Sequence, residues 1–171
     1  MRRSKVTACA RVKLTGSIEV ALPLRQAFAL FTPNGERAWA RGWTPEFPGA
    51  ATDDTEPGVV FETDDAGCRS IWTVVHCVPG TAIGYSVATP ADRAGTVTVT
   101  CQPSTGGTTV TVGYDLTALK PEANGRLYEF EAHYADFLDD WKQSIAQVIA
   151  SDSAREQRCA SPHVDRDIQG R

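Results

Sequence analysis

The feature that most constrains this chain is a helical stripe near its C-terminus, from Glu122 to Ala150. Leu127, Phe130, Tyr134, Phe137, Leu138, Trp141, Ile145, Val148 and Ile149 recur there at steps of three and four. At helical pitch they fall in one band about 120° wide, the pattern of a helix laid on a core. Glu129, Asp136, Asp139, Asp140, Gln143 and Gln147 cover the opposite side. An apolar face this long and this aromatic needs a broad apolar partner. The chain upstream has the pattern of strands, and strands can supply one.

Apolar and polar residues alternate from Arg11 to Val20, through Val12, Leu14, Ile18 and Val20. This predicts a first strand, with Gly16 marking a bulge or bend. Pro23 suits the first turn of a short helix, and Leu24, Ala27, Phe28 and Phe31 give it an apolar face. Thr32-Pro33-Asn34-Gly35 breaks that helix, and a second short one is expected over Glu36 to Ala40. From Trp43 to Gly58 the chain is rich in Pro, Gly, Ala, Thr and Asp. A loop of about fifteen residues is longer than most connections and is a candidate for function. Five β-like runs follow: Val59 to Thr63, Ser70 to Val78, Thr81 to Ala88, Thr96 to Cys101 and Thr109 to Leu119. Their close spacing and the turn signals between them predict an antiparallel meander. Lys120-Pro121 ends the last strand.

Alternation assigns the faces. Val97, Val99 and Cys101 are predicted to point at the helix, with Thr96, Thr98 and Thr100 outside. By the same parity Val110, Val112, Tyr114 and Leu116 point inward, as do Ile83, Tyr85, Val87 and Phe61. The Ser70 to Val78 run is apolar on both faces. Ile71, Thr73, Val75 and Cys77 compete with Trp72, Val74 and His76, and the parity there stays open. A covered edge would explain the pattern, and a homodimer is one way to cover it.

Composition narrows the function. The 171 residues are 42% hydrophobic and 22% charged, which fits one globular domain. A net charge of -4 without a basic stripe argues against nucleic acid and anionic membrane surfaces. No apolar run approaches the ~20 residues of a bilayer span, and no h-region follows the basic N-terminus. The expectation is a cytoplasmic protein without membrane insertion. The five cysteines are odd in number and show neither C-x-x-C nor zinc-like spacing. There is no P-loop, no G-x-G-x-x-G after a strand and no nucleophile elbow. Neither a metal nor a cofactor is expected.

One strand, two short helices, a five-stranded antiparallel run and a long C-terminal helix make an α+β order, with helices on one face of the sheet. A curved sheet around one helix tends to leave a concave, mostly apolar gap, the usual form of a small-molecule site. The order of elements resembles the helix-grip fold of the START-like superfamily, also called SRPBCC. The stretch Phe31-Thr32-Pro33-Asn34-Gly35-Glu36-Arg37-Ala38-Trp39, followed by Gly42-Trp43-Thr44-Pro45-Glu46-Phe47, is similar to the "Phe-Thr-Pro-x-Gly-Glu-Arg-x-Trp…Gly-Trp-x-Pro" signature of a bacterial polyketide-cyclase-like branch. Ala94 to Val99 and Tyr114 to Leu119 agree with the same pattern. The resemblance spans about residues 12 to 150. It implies a ligand cavity and carries no transferable catalytic set.

Aromatic residues dominate the candidate site. Trp39, Trp43, Phe61, Trp72, Tyr85, Tyr114, Phe130, Tyr134 and Trp141 are predicted to contact ligand. The cluster of Glu36, Arg37, Trp39 and Trp43 reads either as a lip of the cavity or as a clasp in which Glu36 or Arg37 caps or pairs. Buried Tyr hydroxyls need partners; a ligand oxygen, backbone or water would serve. His76 and His133 could act as bases near neutrality, yet no carboxylate is assigned to orient them. Glu131 falls within the apolar stripe, where a wet rim or an arginine partner would accommodate it.

The domain is expected over residues 10–150, between an N-terminal tail (1–9) and a disordered C-terminal tail (151–171). Its leading function is binding of a small, mostly hydrophobic molecule, aromatic or polyketide-like, between sheet and helix. One alternative is a cofactor-independent cyclase/dehydrase-like enzyme that uses a cavity Tyr, His or Glu for proton transfer. Another is a chaperone-activator-type interaction domain. A core closed by Phe130, Tyr134 and Trp141 would favour the last of these.

Overall fold

The computed structural model describes residues 8–50 and 52–160, apart from the side chains of 159 and 160. In chain order the elements are β1 (Arg11–Val20), α1 (Leu24–Ala29), a 3-10 turn (Gly35–Ala38), β2 (Val60–Asp65) and β3 (Cys68–Val78). Then come β4 (Ala82–Thr89), β5 (Arg93–Ser104), β6 (Gly107–Ala118), a second 3-10 turn (Pro121–Ala123), α2 (Asn124–Ala132) and α3 (Tyr134–Ala160). The strands form one curved antiparallel sheet in the order β1-β6-β5-β4-β3-β2. The meander runs from β2 to β6, and β1 completes the sheet beside the last strand. The helices lie on its concave face. This is the predicted α+β helix-grip architecture.

Period-two patterning explains the core. Val97, Val99, Cys101, Val110, Val112, Leu116, Ile83, Tyr85, Val87 and Phe61 are all buried, as alternation predicts. Leu127, Tyr134, Leu138 and Ile145 reach them from the helices. Arg11 and Lys13 on the outer face of β1 pair with Asp115 on β6.

Three local expectations needed correction. Gly16 is not a bulge: the β1–β6 register runs unbroken through the pair Gly16–Val112. Its lack of a side chain instead lets α3 approach, since a Cβ there would lie 2.4 Å from Leu138 Cδ1. On β3, whose parity the sequence leaves open, it changes partway. Val74 pairs with Tyr85, but His76 pairs with Gly84, leaving Val75 as an extra residue. Trp72 and Val74 therefore face inward before this bulge and Cys77 after it, opposite buried Ile83. Ile71, Val75 and Val78 are exposed. The doubly apolar pattern is thus partly the record of a bulge.

The long helix, expected as one piece, has a break at His133 (φ -107°, ψ 16°). Past the break, Phe137 N–H donates to the His133 carbonyl at 3.0 Å and the helix resumes. α3 also continues past Ala150 to Ala160, where a disordered tail was expected. Residues 151–158 are exposed throughout, so no periodicity could reveal them. Ala, Arg, Glu and Gln, without Gly or Pro, extend a helix on propensity alone. The rest of the expected tail, 161–171, lies outside the described residues, as do residues 1–7. Asn124 holds the start of the described chain by accepting from Ala10 N–H (2.8 Å) and donating to the Ala8 carbonyl (2.9 Å).

Candidate ligand site

The signature segment folds as a braced turn. A Cβ on Gly35 would sit 1.8 Å from the Ala29 carbonyl oxygen, so only glycine fits beneath α1. Gly35 N–H donates to Thr32 Oγ1 at 3.0 Å, and Asn34 N–H donates to Asp54 at 2.8 Å. The indole N–H of Trp39 donates to the Leu30 carbonyl (2.7 Å), and that of Trp43 to the Pro33 carbonyl (2.8 Å). The turn sends two adjacent charged residues in opposite directions. Arg37 is exposed and donates to Asn34 Oδ1 and the Pro45 carbonyl. Glu36 points inward and is 7% exposed.

All nine aromatic residues expected at the site lie in two adjoining ring clusters. The first gathers Trp43, Phe47, Phe61, Trp72 and Tyr85. Phe61 and Trp72 stack at 5.9 Å with planes 3° apart, and Tyr85 meets both edge-on near 6 Å. Trp43 and Phe47 close over Phe61 at 5.9 and 5.6 Å. The second gathers Phe31, Trp39, Tyr114, Phe130, Tyr134, Phe137 and Trp141. Trp39 meets Trp141 at 5.0 Å, Phe137 meets Trp141 at 4.8 Å, and Phe130 meets Tyr114 at 5.2 Å. The bond from the Tyr85 hydroxyl to the Phe31 carbonyl (2.9 Å) joins the two.

The polar ends of these rings differ in their engagement. Trp72 N–H donates to Thr63 Oγ1 at 3.0 Å, and the Tyr134 hydroxyl donates to the Val112 carbonyl at 2.8 Å. Among the described residues no hydrogen bond or ion pair engages the Glu36 carboxyl, the Tyr114 hydroxyl or the Trp141 indole N–H. Among the described residues, no side-chain oxygen or nitrogen that is fully sealed from solvent lacks a partner. The three free groups therefore keep some accessible surface inside or beside the second cluster.

Glu36 dominates the electrostatics. Burial alone pushes its carboxyl well above the usual range, favouring the neutral acid. Burial, followed by the Glu36 charge, raises Tyr85 and Tyr114 as well. Tyr134 is pushed up to about 12 by burial. The only other buried polar residue described is Thr108, whose hydroxyl donates to the Leu22 carbonyl. No described lysine or arginine is buried.

Two surface clefts flank this interior. One, of about 340 Å³, is lined by Thr44, Glu46, Glu62, Thr63, Asp64 and Arg69. The other, of about 510 Å³, runs between Ala38, Trp39 and Arg41 and the α3 residues Ser144 to Arg155, and it reaches the Trp39 ring from outside. Both candidate histidines are exposed, as is Glu131. His133 does have a carboxylate neighbour, Asp136, at 3.3 Å, but on the surface. Among the described residues no group of His, Cys, Asp and Glu could hold a metal.

The model of the family described as "Polyketide cyclase / dehydrase and lipid transport" matches residues 11–146. The chain belongs to that family. Such a fold, of the START-like kind, is that of a domain suited to hydrophobic ligands. No curated protein is similar enough in sequence to match. Solved structures carry the same fold at low identity. Protein MLL2253 from Mesorhizobium loti aligns at TM-score 0.60 and 16% identity, over 80% of this chain and 98% of that one. CalU16 from Micromonospora echinospora aligns at 0.56 and 15%, over 88% and 85%. The Aha1 dimer from Colwellia psychrerythraea aligns at 0.55 and 15%, over 78% and 96%. No described helix in this member of the family is long and apolar enough to cross a membrane.

Sequence reasoning missed Phe31, Phe47 and Phe137 as parts of the clusters, and Glu36 as an inward acid. Phe137 was legible, three residues after Tyr134 and four before Trp141 on the same stripe. Glu36 offered only the oddity of an acid within an aromatic segment.

Proposed function

We propose that this protein binds a small, mostly hydrophobic molecule, aromatic or polyketide-like, between the sheet and α2–α3. Trp39, Tyr114, Phe130, Tyr134 and Trp141 form the contacting walls, and Trp43, Phe61, Trp72 and Tyr85 form the supporting far wall. The groove at Trp39 is the way in. One observation carries the reading: an inward carboxyl and a tyrosine hydroxyl without protein partners, set among aromatic rings. Both groups keep some accessible surface, so they cost less than the roughly 1–3 kcal/mol of a sealed unpaired polar group, yet a core that only had to be filled would place apolar atoms there. The rings of Trp39 and Trp141 meet at 5.0 Å, so ligand entry requires that they rotate apart; this closed packing favours the chaperone-activator-type interaction domain as the competing reading.

The test is native mass spectrometry of protein purified gently from its own host, followed by extraction of anything released. A defined apolar molecule supports the reading. An empty protein that no panel of aromatic ligands stabilises thermally would overturn it. The same neutral acid favours a second reading, cyclase/dehydrase-type proton transfer, which conversion of the extracted molecule on re-addition would reveal. A cytoplasmic location fits the four described cysteines, all free thiols. A homodimer would use the outward face of β3, where Ile71, Val75 and Val78 are exposed, and sedimentation of the full chain tests it.

A further inference from the structure

We propose that the groove between the signature turn and the C-terminal half of α3 is a second binding site, on the outside of the domain, for an apolar α-amino acid. The carboxylate lies between Arg41 and Arg155, the ammonium on Asp152, and the side chain against Trp39 and Val148. All five residues line one cleft of about 510 Å³, within the ordinary size range of small-molecule sites. Its floor is apolar: the Trp39 indole is fixed by its bond to the Leu30 carbonyl, and Val148 is half-buried. Its rim is charged, and the charges are unpaired. Among the described residues neither guanidinium, nor the Asp152 carboxylate, nor the half-buried Ser144 hydroxyl makes a hydrogen bond or ion pair. Elsewhere on the surface such groups do find each other: Arg11 and Lys13 meet Asp115, Arg69 meets Glu62, and Arg93 and Arg126 meet Asp92.

The placement of the charges selects the ligand. Asp152 and Arg155 are three residues apart on α3, which sets their Cβ atoms about 5–6 Å apart on one face. An ammonium and a carboxylate carried on the same carbon can each reach the opposite charge at that spacing. Arg41 closes the carboxylate from the other wall. It rides on a tight turn, in which Trp43 N–H donates to the Ala40 carbonyl at 3.1 Å and Gly42 supplies a positive φ of 77°. Two guanidinium groups suit one carboxylate, since each offers paired N–H donors to its oxygens. Two arginines against one aspartate leave the lining positive, on a chain whose net charge is -4. A simple amine meets its counter-charge there only beside two cations, and a simple carboxylate leaves Asp152 unpaired next to its own charge. The interior offers a zwitterion nothing comparable, because no described lysine or arginine is buried there.

The experiment is NMR titration of the nitrogen-labelled full chain, read at the Trp39 indole N–H, with phenylalanine, phenylpropanoate and phenethylamine. The three probes share a ring and differ in charge. Phenylalanine is expected to bind about tenfold tighter than either of the others, the usual worth of one added charged hydrogen bond. Arg41→Ala and Arg155→Ala should each weaken phenylalanine about tenfold. Asp152→Asn should bring phenylalanine down to the affinity of phenylpropanoate and leave phenylpropanoate no weaker than before. None of these three side chains makes a hydrogen bond or ion pair in the fold, so the variants should unfold at the wild-type midpoint. Phenylpropanoate binding as tightly as phenylalanine, with Asp152→Asn changing neither, overturns the proposal in favour of a plain anion groove. Equal affinity for all three probes, indifferent to the variants, overturns it in favour of an apolar surface without charge selection. No shift at any phenylalanine concentration overturns the site itself, and leaves the interior reading to its own test by extraction.

Discussion

The two aromatic clusters are made of the same kinds of side chain and differ in how their polar ends are treated. Around Phe61 every polar end is engaged: Trp43 on Pro33, Trp72 on Thr63, Tyr85 on Phe31. Phe61 itself is fully buried, and its ring meets four others. Around Tyr114 the rings of Phe130, Phe137 and Trp141 are half-buried, and three polar ends are free. A cluster with all polar ends engaged is closed and holds the sheet's far edge to the signature loop. The one with free donors and half-buried rings is the one we propose as the ligand site. Composition alone cannot separate the two, since both are Trp, Tyr and Phe.

The largest expected effect falls on the closed cluster. Phe61→Ala should destabilise the fold by about 3–5 kcal/mol in urea denaturation, because it leaves a cavity lined by four rings. Phe137→Ala, at a half-buried ring of the open cluster, should remove only roughly 1–2 kcal/mol of burial and should weaken aromatic ligands. If the two substitutions cost the same and ligands ignore both, the clusters do not differ in kind.

Glu36 gives the next effect, with a sign that depends on pH. Glu36→Leu should stabilise the protein by about 1 kcal/mol, the low end of the penalty of an unpaired buried polar group, because the carboxyl keeps some accessible surface. Unfolded, Glu36 titrates near 4.5; folded, burial raises it well above. Between those values the folded state holds a proton that the unfolded state has released, so stability falls as pH rises through the window and is fully present below 4.5. Glu36→Gln should flatten that fall. Asp115 has the opposite sign in a separate window. Held down to about 2, chiefly by the Arg11 hydrogen bond, it contributes stability that is lost only as pH drops below its unfolded value of 3.8. A wild-type curve that is flat above pH 4.5 would mean that Glu36 is solvated, and the contrast between the clusters would lose its main support.

Much of this was legible in the sequence because period is a strong signal where a segment is regular. The inward residues of β4, β5 and β6 follow from alternation, and the aromatic helix stripe follows from its three-four spacing. Legibility failed where one residue changed the count or where the opposite surface decided the outcome. On β3 the extra Val75 reverses parity, which no single-strand pattern discloses. At Gly16 the sequence shows a missing side chain, and only Leu138 from α3 says why it is missing. Glu36 and Arg37 are adjacent and equally polar, and a 3-10 turn braced by Gly35 and Trp39 decides which goes in. The junction of the two clusters is the Tyr85–Phe31 hydrogen bond, a contact between residues 54 apart in the chain.

The paired tryptophans isolate the ligand term from the stability term. Trp39→Phe and Trp43→Phe each remove one indole N–H from a backbone carbonyl, Leu30 in one case and Pro33 in the other. Both should cost about 1 kcal/mol in thermal or chemical unfolding, the net worth of a hydrogen bond. Only Trp39 faces Trp141 and the groove, so only Trp39→Phe should alter ligand affinity or the rate at which ligand enters.

The smallest effects belong to the histidines, which lie outside both clusters. His76 sits on the outer face of β3 at the bulge, opposite Gly84. His133 pairs with Asp136 at 3.3 Å while the two side chains are 69% and 81% exposed. An exposed pair of this kind is worth roughly 0–1 kcal/mol, and neither ring reaches the interior acid. His76→Ala and His133→Ala should therefore leave unfolding midpoints and ligand titrations within error of wild type. A clear loss of binding in His133→Ala would instead put the working site at the α2–α3 break. The Glu36-centred interior would then be a packed core that tolerates one misplaced acid.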